Sequence, residues 1–220
     1  MIKRIGKELL HHIPFTAAGA VTGIAAMALV TLLNTPQNVS EALFYTFHPL
    51  HVVFSALVTT SIYRNLENHK LWLVPIVGYV GSIGIATLSD AVIPYLEGKT
   101  MQIAMEFHLP FISGEIMPFI GAPEWVMVNS AAIIGIAIGS FKPKTRLPHF
   151  GHVLISTWAS LFGFTAFGTA DWLPLLPVIF VFLFLAVWIP CCVSDIVFPL
   201  LWGGNGHDHE HDRPSAQEHN

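Results

Sequence analysis

Two polar phrases each occur twice in this chain, and that doubling restricts its fold more than any other feature. His48-x-x-His51-Val-x-x-Ser55 returns as His149-x-x-His152-Val-x-x-Ser156, 101 residues later. Ser89-Asp90-Ala-Val-Ile-Pro94-Tyr-Leu-Glu-Gly98 returns as Ser194-Asp195-Ile-Val-Phe-Pro199-Leu-Leu-Trp-Gly203, 105 residues later, with six of ten positions identical. The order is the same in both halves. Self-similarity of this kind marks an internal duplication, here with a His/Asp set in each copy.

The phrases sit in apolar blocks. With 53% hydrophobic and 11% charged residues and a mean hydropathy of +0.61, the chain falls far from soluble domains, in which about 25% of residues are charged. Several blocks approach the length of about 20 residues that crosses a bilayer as a helix. The expected spans are Ile13–Leu33, Ala42–Tyr63, Leu71–Leu96, Pro123–Phe141, Pro148–Gly168 and Trp172–Trp202. The first block is long and is followed by others, which argues against a cleaved signal peptide. Pro49 suggests that the regular part of the second helix begins at His48, since proline fits best in a first turn. Residues 99–122, with Glu106, His108 and Glu115, read as an ordered external loop or a re-entrant segment.

Basic residues set the orientation. With the N-terminus inside, Lys3, Arg4, Lys7, Arg64, Lys70, Lys142, Lys144, Arg146 and Arg213 face the cytoplasm and only Lys99 faces out, nine against one. The expected protein is an all-α, multi-pass integral membrane protein with six transmembrane helices and both termini cytoplasmic. Three spans per copy is an odd number, so the second copy lies upside down relative to the first. That is the inverted-topology repeat found in many secondary transporters. The units are residues 1–98 and 123–203, joined by 99–122. Residues 204–220 form a polar, disordered tail containing His207-Asp-His-Glu-His-Asp212, a metal-binding composition.

The repeated residues carry the chemistry. Residues three apart share a helix face, so His48 and His51 point together, as do His149 and His152. Imidazole pairs with Asp90 or Asp195 suit Zn, Mn, Fe, Co or Ni. Pro94 and Pro199 each follow an Asp by four residues and remove the hydrogen bond to its carbonyl. Ionisable groups inside a membrane read as functional, and a repeated set strengthens that reading. The metal candidates are therefore His48, His51, Asp90, His149, His152 and Asp195, in two clusters on opposite sides of the midplane. His12, Glu106, His108, Ser55 and Ser156 are further candidate ligands. Asp171, Trp125 and Trp172 read as interfacial residues and His69 as a loop residue. Cys191 and Cys192 read as packing, because Ala86 and Thr87 hold the matching positions, although a thiol there would soften the inner site. Two adjacent cysteines give no disulfide framework.

The expected function is transport of a divalent transition-metal ion as permease or exporter. The expected partners are the bilayer and the ion. A homo-oligomer is compatible with the pattern, and no nucleic-acid signature is present. The competing readings are a membrane-embedded metal-dependent hydrolase and a proton-coupled carrier of an organic solute. An enzyme is less favoured because both copies keep the full residue set.

Overall fold

The computed structural model describes residues 2–117, 120–141, 146–193 and 198–203, with the backbone alone at 2–9, 11–12, 146–150, 192, 200 and 203. Helix α1 spans Ile2–Leu32 and α2 spans Gln37–Arg64. A short 3₁₀ turn, Leu71–Leu73, leads into α3, Val74–Thr87. A π-helical turn, Leu88–Val92, joins α3 to α4, Ile93–Thr100. Helix α5 is Glu124–Phe141 and α6 is Arg146–Phe167. A second 3₁₀ turn, Leu173–Leu175, precedes α7, Leu176–Cys192, and α8 is Phe198–Gly203.

Among the described residues, five stretches are long and apolar enough to cross a membrane: Ile13–Leu32, Gln37–Arg64, Leu71–Thr100, Glu124–Phe141 and Leu173–Cys191. Gly151–Phe167 in α6 is apolar but shorter. The distribution of polarity is that of a protein dissolved in lipid. Leu29, Val80, Ile133, Ile134 and Val181 are exposed, whereas Thr16, Ser55, Thr59, Ser82, Thr157 and Ser160 are buried. Aliphatic side chains meet hydrocarbon without cost, and hydroxyls turn inward to find partners.

Helices α2 and α6 form the centre and make the most extensive contact in the molecule. Helices α1 and α5 each pack mainly on elements distant in sequence or on the opposite side of the centre. Helix α1 lies on α6 and α7, burying Ala20 and Met27 with Val153, Leu161, Ile179 and Leu183. Helix α5 lies on α2 and α3, where Val128, Ala131 and Ala132 meet Val52, Ile83 and Ala86. Glycines allow both approaches. A Cβ on Gly135 would collide with the Val53 carbonyl and lie 2.7 Å from Ala56 Cβ, and one on Gly139 would lie 2.6 Å from the Leu57 carbonyl. On the other side, a Cβ on Gly19 would meet Thr157 Oγ1 at 2.7 Å. Pairs of small residues four apart are a recurrent means of bringing helices together in lipid.

One expectation changes. Helix α2 is continuous from Gln37, so Pro49 is internal and His48 and His51 lie near mid-helix. The reason is tertiary: Phe44 and Tyr45, upstream of the proline, are buried with Phe162, Ala166 and Met117, which holds that segment on the helix axis. Between α4 and α5 the described residues, 101–117 and 120–123, form an ordered connection. Its strand β1, Ala104–Met105, pairs antiparallel with β2, Gly168–Thr169, directly after α6. The Glu106 N–H donates to the Phe167 carbonyl, extending that tie.

Candidate metal centre

The centre begins with a backbone irregularity. At the π turn the Ile93 N–H reaches back five residues to the Leu88 carbonyl. The next step in that register would run from residue 94 to the Ser89 carbonyl, but Pro94 has no N–H. Ser160 Oγ of α6 lies 2.9 Å from the Ser89 carbonyl, 2.9 Å from its own Ser156 carbonyl and 3.1 Å from Asp90 Oδ1, and its one proton is shared among these acceptors. The carbonyl re-satisfied in this way is Ser89's, one residue earlier than a regular α-helix would leave it. α6 can come this close because residue 163 is glycine: a Cβ there would lie 3.0 Å from the Asp90 carbonyl. π-helical turns are rare and are common at functional sites.

Asp90 is buried at the middle of this contact and fully engaged. Its Oδ2 accepts from His48 Nδ1 at 2.9 Å and from His51 Nδ1 at 2.6 Å. Its Oδ1 lies 2.7 Å from Ser89 Oγ and 3.1 Å from Ser160 Oγ. This network fixes the tautomer of His51. With its Nδ1–H given to the carboxylate, Nε2 carries the lone pair. That Nε2 is 2.9 Å from His152 Nε2, so one proton lies between the two rings. The two rings are stacked with centroids 4.8 Å apart.

The third member is a thiol. One ligand atom from each of His51, His152 and Cys191 lies within 4.8 Å of the other two, and all three residues are buried. Cys191 Sγ donates to Ser156 Oγ at 3.6 Å. Two imidazoles and a thiolate are a donor set for zinc and its neighbours. With an ion on those three atoms, Asp90 would hold the far nitrogen of His51. A carboxylate that holds the far nitrogen of a ligating imidazole orients the ring and raises its basicity. The spacing is close to what a metal needs. Two nitrogens at tetrahedral positions about 2.1 Å from zinc are about 3.4 Å apart, so the rings would have to part by about half an ångström to hold such an ion between them. Charge also fits: a buried carboxylate and a thiolate together balance one dication, and an uncompensated charge is very costly in this setting.

The sequence candidates divide as follows. His48, His51 and Asp90 are brought together. His152 joins them from the other half, so these residues form one cluster and do not separate across the midplane. The cause is the mid-helix position of His51, which puts it where α2 crosses α6. Ser156 touches the cluster through Cys191. Ser55 is buried, and its hydroxyl has no hydrogen-bond partner among the described residues. His48 Nε2 is likewise without a partner among them, its ring stacked on Phe44. His108 pairs with buried Glu124 at 2.6 Å and stacks on Phe167, away from the centre. Glu106 is exposed at the end of β1. The side chains of His12 and His149, all of Asp195, and the tail from 204 lie outside the described residues.

Cys191 is the residue that the sequence reading passed over. Its signal was its place just before the second Ser-Asp phrase, in a chain with two cysteines in all. Comparison with known protein families, curated proteins and solved structures finds no match to this chain.

Proposed function

We propose that this protein is a transporter of a divalent transition-metal ion, held between its halves by His51, His152 and Cys191. The observation that carries the reading is the convergence of these three ligand atoms, from α2, α6 and α7, within 4.8 Å in a membrane-spanning bundle. The thiol with two imidazoles favours zinc, cobalt or nickel over manganese. Asp90 positions His51 and supplies part of the compensating charge.

The inverted repeat belongs to the same proposal. Its support is the exchange of packing, α1 onto α6 and α7 and α5 onto α2 and α3. The small-residue pairs agree: Gly19 approaches Thr157, and Gly135 approaches Ala56, the residue 101 positions earlier. The two units are 1–98 and 123–203, linked by 99–122 and followed by the tail 204–220, with both termini cytoplasmic. Asp195 and His149 are the counterparts of Asp90 and His48. Cysteine-accessibility labelling should reach position 99 from outside and position 144 from inside; labelling of both from one side removes this topology.

The test of function is metal analysis of the purified protein together with flux in sealed vesicles. The expected result is about one ion per chain and metal-dependent flux that His152→Ala and Cys191→Ala abolish. Wild type that binds no metal at any pH overturns the reading and favours a proton-coupled carrier of an organic solute. A second reading has one observation behind it. Three protein ligands leave a fourth position open, as in hydrolytic zinc sites. Metal-dependent hydrolysis of a lipid or peptide without metal flux would establish the hydrolase instead.

A further inference from the structure

A cleft of about 380 Å³ opens between α3–α4 and α7. One wall carries Ile85, Leu88 and Ile93, and the other carries Phe182, Leu185 and Ile189. Leu88, Leu185 and Ile189 are also exposed on the outer face, so the cleft is open to the bilayer. Its lining shares no residue with the metal centre.

One polar side chain faces into it. Glu97 is 7% exposed, and its Oε2 has no hydrogen-bond partner among the described residues. The nearby cation Lys99 sits over the Tyr95 ring, 5.3 Å from its centroid. A buried carboxylate oxygen without a donor is costly, and among the described residues the rest of the lining is apolar. A ligand for this cleft therefore needs a hydrocarbon body and a cationic donor at one end.

Its length and depth agree with a lipid. From Ile85 to Glu97 is twelve residues, about 18 Å of helix. One leaflet of the hydrocarbon core is about 15 Å deep, half of about 30 Å. Glu97 lies three residues from the end of the span Leu71–Thr100, next to exposed Lys99 and Thr100, at the level of lipid headgroups.

We propose that the cleft is a binding site for phosphatidylethanolamine. One acyl chain lies between α3–α4 and α7, and the primary ammonium donates to Glu97. The N–H donors distinguish this lipid from phosphatidylcholine, whose quaternary nitrogen has none to give.

Native mass spectrometry of the full chain, titrated with phosphatidylethanolamine, phosphatidylcholine or phosphatidylglycerol, tests the assignment. Wild type should retain phosphatidylethanolamine over phosphatidylcholine by roughly tenfold, the scale of one charge-assisted hydrogen bond. Glu97→Gln should reduce that ratio to near one, and Glu97→Lys should turn the preference toward the anionic phosphatidylglycerol. Equal retention of the two zwitterionic lipids by wild type overturns the proposal, as does an undiminished preference in Glu97→Gln. Should Glu97→Lys fail to fold, the nearly isosteric Gln variant decides alone.

Discussion

Asp90 has two imidazoles on one oxygen and two hydroxyls at the other. Both oxygens are engaged within the protein, and under the proposed function Asp90 orients His51. Asp90→Asn keeps the shape but removes the charge and allows an amide N–H to face a ring nitrogen. Loss of such a partner typically costs 10–100-fold in metal affinity, and titration with Co²⁺ or Zn²⁺ should read a fall of that size with protein yield unchanged. Cys191→Ser should weaken binding and also remove the thiolate-to-metal charge-transfer absorption of the Co²⁺ form. If that absorption persists in Cys191→Ser, the thiol is not a ligand. Binding should weaken as the solution is made acidic, because protons compete for imidazole and thiolate lone pairs. His51, His152 and Asp90 were legible in the sequence because their phrases are doubled. Cys191 was not, because its counterpart is Ala86 and repetition reports only what the two copies share. Which side of His51 the carboxylate takes was equally hidden, since it depends on how α3 turns at residues 88–92.

The π turn and the glycine contacts belong to the scale of the element. Ser160 Oγ supports the Ser89 carbonyl that Pro94 cannot serve. Ser160→Ala should destabilise the fold by about 1–3 kcal/mol, the cost of a buried acceptor left without a donor. The adjoining Asp90 loses a donor as well, so metal affinity should fall with stability. Unchanged melting and affinity in Ser160→Ala would show that the hydroxyl is not needed. Gly135→Val drives a branched side chain into the backbone of α2 at Val53 and should cost about 1–3 kcal/mol by overpacking. Gly84→Ala is the control, since a Cβ there meets nothing within 4 Å. Thermal unfolding in detergent should separate the two. The proline after Asp90 was a correct sign of a backbone irregularity, but that the Ser89 carbonyl would be met by Ser160 depends on the π register, which spacing alone does not show. Pro49 pointed to a helix start that burial of Phe44 and Tyr45 overrides.

At the scale of the molecule, apolar block lengths were enough to foresee a multi-pass helical bundle. Which helices touch was beyond them, because in lipid every apolar face looks alike and partners are chosen by small-residue fit. Removing residues 205–220 should leave the affinity of the central site within about twofold of the full chain, since its three ligands all lie upstream; an equilibrium titration of the truncated chain checks this. A larger loss would place a ligand in the tail.

The crossed packing of α1 has a consequence for how the protein is made. Its neighbours, α6 and α7, begin more than a hundred residues after α1 ends. During synthesis α1 enters the bilayer long before those surfaces exist, and it must wait there beside lipid or a chaperone. A chain released after residue 98 carries an α1 whose partners were never made, and it should be cleared by membrane proteases much faster than the complete chain. Co-expression of residues 99–220 as a separate piece should rescue it, and pulse–chase labelling of the two pieces, alone and together, would measure that dependence.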